Sequence, residues 1–119
     1  MITFNTITMP QFRKSLDKLA GLQELALTEK RKCVKLLKWI KQELEDYVEL
    51  ENKLLAEHYE GTDDKGNKKY KDIDELNKKL EELRAMQIKE QPELIKINKQ
   101  AEARLTAMDM FNLAQFISQ

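Results

Sequence analysis

Apolar positions recur at three- and four-residue spacings in two long runs of the chain, with a short polar stretch between them. The first run carries Cys33, Leu37, Ile40, Leu44, Tyr47, Leu54 and Leu55, which line one face of an α-helix. Neither glycine nor proline occurs from Leu22 to Glu60. The pattern therefore predicts a helix over residues 28–59, on the order of 48 Å long at ~1.5 Å per residue, with Thr28 as its cap. A helix of that length needs a partner. The second run supplies one, with Ile73, Leu76, Leu80 and Leu83 on its apolar face. Asp72 and Glu75 have capping-box spacing at its start, and Pro92 stops it or forces its last residues extended.

The polar stretch, Gly61-Thr62-Asp63-Asp64-Lys65-Gly66-Asn67, reads as the tip of a two-stranded ribbon. Gly66 can supply the positive φ of a type I turn followed by a bulge. Tyr59 and Tyr70 flank the turn and can pair across it. Lys68, Lys69 and Lys71 keep the ribbon soluble. The expected object is an antiparallel helical hairpin of coiled-coil character over residues 28–91, with its tip at 59–71. The two helices would pair about residues 65–66, which sets Glu51 opposite Leu80 and near Lys79. A Glu51–Lys79 ion pair would then fix the register.

The flanks are shorter. Residues 2–7 begin with apolar–polar alternation and β-branched side chains, which predicts a strand. Thr8 is a candidate cap for a following helix with Pro10 in its first turn, and Gly21 is its expected end. Residues 21–27 read as a connector. Leu94-Ile95-Lys96-Ile97 predicts a second strand, expected to pair with residues 2–6 because neither strand is viable alone. After a polar connector, Thr106 is placed to cap a final helix bearing Met108, Phe111, Leu113, Phe116 and Ile117. The fold class is mainly α (α+β), one domain over 1–119: an N-terminal strand and short helix (1–27), the hairpin, and a strand with a C-terminal helix (92–119). The terminal base is expected to bury Phe4, Phe12, Phe111 and Phe116.

Composition narrows the function more than it changes the fold. Among 119 residues, Lys plus Arg and Asp plus Glu are each 21, so no net field recruits nucleic acid or a membrane. One cysteine, Cys33, excludes an internal disulfide and fits a reducing compartment, where a lone thiol acts as a small core residue. The N-terminus has no basic segment followed by an apolar one, as a secretory signal requires, and no apolar run reaches bilayer length. A soluble cytoplasmic protein is the expectation.

Candidate chemistry is sparse. The chain holds no Gly-rich phosphate loop, no paired cysteines and no two-histidine metal spacing. His58 is the only histidine, placed on the inward face near the tip, where a packed or hydrogen-bonded imidazole is the expected role. With Gly66 at the sixth position of a calcium loop, Gly61 and Lys65 would occupy ligand positions they cannot serve. No catalytic residue, cofactor or metal ligand is expected.

What remains is surface. The long helix is basic in its first half, through Lys30, Arg31, Lys32, Lys35, Lys38 and Lys41, and acidic in its second, through Glu43, Glu45, Asp46, Glu49, Glu51, Glu57 and Glu60. This order opposes the helix macrodipole at a small cost per exposed site. Pairing of the acidic half with Lys68, Lys69 and Lys71, and of the basic half with Glu81 and Glu82, would offset it. Alternatively Arg31, Lys35, Lys38 and Lys41 form a basic stripe for an acidic protein or, less well supported, a phosphate backbone. Trp39 falls away from the inward stripe, with Leu36 and Leu50 toward the same side. That second apolar face either packs a terminal helix or forms a partner site or homodimer seam, where tryptophan is enriched. The candidate partner-binding residues are Arg31, Lys35, Lys38, Trp39, Lys41 and Leu50.

Leu44-Glu45-Asp46-Tyr47, Tyr59, Asp64-Lys65-Gly66-Asn67, Leu80-Glu81-Glu82-Leu83, Leu94-Ile95-Lys96-Ile97 and the stretch from Leu105-Thr106 to Phe116-Ile117 together resemble an uncharacterised family of small tailed-bacteriophage proteins. The resemblance implies a non-enzymatic protein that acts by protein–protein contact as a small virion or assembly component. It places the protein in the host-cell cytoplasm or on the virion. It brings no catalytic residues. The alternative expectation is an inhibitor of a host defence or regulatory protein, with the basic stripe set on an acidic site.

Overall fold

The computed structural model describes residues 2–88 and 93–118. Its axis is one long helix, α3 (Leu27–Glu57), in a molecule measuring 57 × 30 × 21 Å. Two short helices precede it, α1 (Phe4–Thr8) and α2 (Pro10–Ala20). The chain then turns through the ribbon β1 (Tyr59–Thr62) and β2 (Lys68–Tyr70) into α4 (Ile73–Arg84). The C-terminal part holds β3 (Ile95–Lys96), α5 (Lys99–Glu102), α6 (Ala107–Leu113), a 3-10 turn (Ala114–Phe116) and β4 (Ile117–Ser118). The mainly α class with a hairpin tip and short terminal strands is the one the apolar pattern predicts.

The arm, made of the distal half of α3, the ribbon and α4, follows the turn chemistry closely. Tyr59 lies opposite Tyr70 in β1–β2, their rings edge to face at 6.2 Å. Gly66 has φ +84° and donates its N–H to the Asp63 carbonyl at 3.0 Å, the type I turn with an αL residue that such a loop needs. The Asp63 carboxylate accepts from the N–H groups of Lys65 and Asn67 at 2.9 and 2.8 Å, so the loop is held from inside. Tyr47 faces Arg84 across the hairpin, with Arg84 Nε donating to the Tyr47 hydroxyl at 3.3 Å. This pairing agrees with a hairpin centred near residues 65–66.

α4 ends at Arg84, well before Pro92, which lies with residues 89–91 outside the described residues. Because Arg84 meets Tyr47, α4 covers only the distal half of α3. Glu81 and Glu82 therefore do not reach the basic half. The arm's ion pairs instead run along single helices, Lys53–Glu49 at 3.6 Å and Lys79–Glu75 at 3.2 Å. Lys79 is thus engaged within α4, and the expected Glu51–Lys79 pair gives way to a cluster in which Glu51 acts on Tyr47 and Arg84.

The base departs most from the sequence reading. Residues 4–8 form α1, not a strand. Phe4 and Ile7, three apart, both point into the core, and Phe4 lies 5.3 Å from the Tyr47 ring. Burial at helical spacing has overridden the β-propensity of the segment. Only residues 2–3 stay extended, bridging antiparallel to Gln87 and accepting the Ile88 N–H at 2.9 Å. β3 lies where expected, but its partner is β4, in parallel, with Ile95 beside Ile117 and Lys96 beside Ser118. Parallel strands need a long crossover, and residues 97–116 supply it. The predicted connector there contains α5, capped by Asn98, whose side chain accepts the Ala101 N–H at 2.8 Å.

Phe116 and Ile117 therefore leave the final helix, and Phe116, on the 3-10 turn, swings into the core. It stacks on Phe12 at 4.7 Å and meets Trp39 edge-on at 6.4 Å. Phe111, expected in the core, is 77% exposed, whereas Phe116 is buried as expected. Two expected caps shift and a third keeps its place without the expected bond. Ala26 precedes α3 in place of Thr28 and Met9 precedes α2 in place of Thr8, whereas Asp72 is the N-cap of α4 as expected but sits in the left-handed region at φ 50° with no side-chain capping hydrogen bond. Gly21 and Thr106 do end and cap their helices as expected.

Candidate functional site

Along α3, on the side that neither the base nor α4 fully covers, runs an open apolar groove of about 960 Å³. Its apolar lining is Val34, Leu37, Leu44, Val48 and Ala56, and Arg13 of α2 also lines it. Val34 and Val48 are 49% and 51% exposed. Lys41 lies between them, and the three residues are one heptad apart, so they share a face. Leu37 and Leu44 are half-buried and form the edge where this face turns into the core. The groove spans residues 34–56, on the order of 33 Å at ~1.5 Å per residue.

The charges on its rim are ordered. Lys38 and Lys41 flank the end nearer the base, and Glu45 and Glu49 the end nearer the tip. Glu49 pairs with Lys53 on its own helix, both about two-thirds exposed, a contact worth little in water. The long lysine stems add apolar surface to the walls while their ammonium groups stay hydrated.

The sequence-derived candidates divide on this geometry. Lys38 and Lys41 line the groove. Arg31 and Lys35 are exposed on α3 but outside its lining. Leu50 is 39% exposed on another side of the helix. Trp39 packs against Phe116 and belongs with the core, which is the packing alternative for that face. Its indole N–H is buried and has no hydrogen-bond partner among the described residues. Leu36, grouped with Trp39 on the wheel, is fully buried. Val34 and Val48 were missed. The signal for them was present, two valines two heptads apart with a lysine midway.

Two polar nodes hold the walls of the base in place. Asp109, the third residue of α6, accepts from Ser15 Oγ at 2.9 Å, Lys18 Nζ at 2.8 Å and its cap, the Thr106 N–H, at 3.0 Å. Asn112 donates to Ser15 Oγ at 3.1 Å. The lysine, followed by the backbone donor, holds the Asp109 carboxyl well below the usual carboxylate range. Glu29, in the first turn of α3, accepts the Lys96 N–H at 2.7 Å and pairs with Lys32 at 3.1 Å, which ties β3 to the helix. The Lys96 backbone donor is the main reason its pKa is lowered.

His58 is buried at the end of α3, its Nδ1 3.0 Å from the Leu54 carbonyl, as a hydrogen-bonded structural imidazole. Burial pushes the Cys33 thiol up to about 11, so it is protonated and inert at neutral pH. Among the described residues, no three His, Cys, Asp or Glu side chains come together as a metal site, and no helix is long and apolar enough to cross a membrane. The arrangement offers a long, partly apolar surface with ordered charge. No protein-family model, curated protein or solved structure matches the chain.

Proposed function

We propose that this protein is non-enzymatic and acts by protein–protein contact, with the α3 groove as its contact surface. The observation that carries the reading is the half-exposed pair Val34 and Val48, which with Leu37 and Leu44 line an open apolar groove edged by charged side chains. An apolar centre within a polar rim is the anatomy of a contact surface. The resemblance to small tailed-bacteriophage proteins supports a virion or assembly component, working in the host cytoplasm or on the particle. A second reading, an inhibitor of a host defence or regulatory protein, is favoured by the exposed basic stripe of Arg31, Lys35, Lys38 and Lys41.

The test is affinity capture of tagged protein from infected and uninfected bacterial lysates, read by mass spectrometry, with Val48→Asp in parallel. Phage structural proteins held by the wild type and lost with Val48→Asp are the expected result. A single host protein captured from both lysates and released at high salt selects the inhibitor reading. Capture that Val48→Asp leaves unchanged overturns the groove as the surface.

A further inference from the structure

The charge order along the groove has a symmetry that a single chain does not use. Lys38 and Lys41 stand toward one end, Glu45 and Glu49 toward the other. The point midway between Lys41 and Glu45 and the point midway between Lys38 and Glu49 fall at nearly the same place on α3, beside Glu43 and Leu44. A two-fold axis through that place reverses the helix onto itself. Lys41 of one copy then lies across from Glu45 of the other, and Lys38 across from Glu49, each pair occurring twice. The central apolar residues obey the same operation, while Val34 of each copy comes beside Asn52 and Lys53 of the other. Leu37 of one copy meets Val48 of the other, and the two Leu44 side chains meet near the axis. A two-fold contact uses one patch on both partners and must be self-complementary, and between Leu37 and Glu49 this face is so in both charge and apolarity.

We infer that the α3 groove is occupied by the α3 of a second copy of this chain, packed antiparallel about a two-fold axis near Leu44, with Lys38 and Lys41 of each copy facing Glu49 and Glu45 of the other. The inference rests on the groove being a contact surface and names what occupies it. It also gives a reason for the order of charge along α3. A basic first half and an acidic second half run against the helix's own dipole, and α4 ends too early to compensate the basic half. A reversed copy of the same helix brings opposite charges together from Lys38 to Glu49. The cross-helix pairs select the antiparallel arrangement, since a parallel one would set lysine beside lysine and glutamate beside glutamate.

The experiment is a charge exchange read by light scattering after size-exclusion chromatography of purified full-length protein, with circular dichroism to show that each variant is folded. The exchanged residues lie on the exposed rim, away from the core. The wild type is expected to run as a dimer. K38E/K41E makes all four rim positions acidic and is expected to run as a monomer. E45K/E49K makes them all basic and is likewise expected to be monomeric. An equimolar mixture of the two is expected to recover a dimer, and the fourfold exchange K38E/K41E/E45K/E49K to recover a homodimer. A wild type that stays monomeric at its highest soluble concentration overturns the inference. So do single-sign variants that remain dimeric, and variants that fall apart but are not rescued by mixing. Should a charge variant fail to fold, Val48→Asp supplies the same readout through the apolar strip: a folded monomer supports the inference and a folded dimer overturns it. A monomeric wild type whose lysate capture is still lost with Val48→Asp removes the two-fold pairing but keeps the contact surface. A monomeric wild type whose capture Val48→Asp does not change removes both.

Discussion

The two halves of α3 have the same backbone and different surroundings. In the first half Cys33, Leu36 and Ile40 are fully buried within the core that the terminal elements build. In the second half, up to Glu57, no residue is enclosed to that degree, and α4 is the main cover. One end of the helix is the wall of a core, the other the spine of an arm. Helical stability in proteins comes mostly from packing of the apolar face, so the difference predicts a molecule whose base determines whether it folds and whose arm opens more readily.

Truncation in the base breaks that comparison hardest. Leu36→Ala removes a fully buried side chain from the contact of α3 with the base and is expected to cost about 2–5 kcal/mol. Val48→Ala, on the half-exposed strip of the arm, is expected to fall within about 0.5 kcal/mol of the wild type. Urea denaturation of both variants checks the contrast, and equal losses would remove it.

The Asp109 node comes next. Asp109→Asn leaves Ser15 and Lys18 facing an amide in place of a carboxylate and is expected to cost about 1–3 kcal/mol at neutral pH. The sign of its pH dependence follows from the lowered pKa of the carboxyl. The folded state binds the proton more weakly than the unfolded chain. The stabilisation is therefore complete above the unfolded value, near 3.8, and is lost as pH falls below it toward the folded value. Wild type and Asp109→Asn should show their full difference in stability above the unfolded value near 3.8 and approach each other as pH falls below it, which thermal melts from neutral to acid pH would show.

Gly66→Ala should weaken the arm alone. Its φ of +84° puts a side chain in the left-handed region, a cost of roughly 1–2 kcal/mol. Faster amide exchange is expected in β1 and β2 with the base unchanged, and a matching rise in the base would contradict the separation. A smaller effect than at Gly66 is expected at Trp39. Its buried indole N–H has no partner among the described residues, so Trp39→Phe trades a lost packing area against removal of an unmet donor. Its stability is expected within about 1 kcal/mol of the wild type, and a loss of several kcal/mol would mean that the N–H is satisfied.

The arm was legible in the sequence because its information is local. Gly66 and Asn67 announce the turn, Tyr59 and Tyr70 the ribbon, and the absence of glycine and proline from Leu22 to Glu60 the length of α3. Those cues fix the hairpin register well enough to bring Tyr47 to Arg84. The base was less legible because it is built from distant contacts. Residues 2–7 alternate like a strand at their start, and only the Tyr47 ring, some forty residues on, makes a helix the better burial for Phe4. The parallel pairing of β3 with β4 depends on a 3-10 turn at residues 114–116 that apolar periodicity does not announce. Asp109 was passed over because its importance depends on Ser15 and Lys18 facing it from another helix. The candidate site was read in part. Lys38 and Lys41 are legible from charge, whereas Val34 and Val48 are not, because Leu37 and Leu44, which border the groove, read as part of a single inward stripe.

Native-state amide hydrogen exchange along α3, measured residue by residue on dilute protein, tests the central contrast most directly. Amides of the first half, around Cys33 to Ile40, are expected to exchange only through global unfolding. Those of residues 48–57 are expected to exchange through a smaller opening shared with α4 and the ribbon. Uniform protection along the whole helix would contradict the division into a folded base and an open arm.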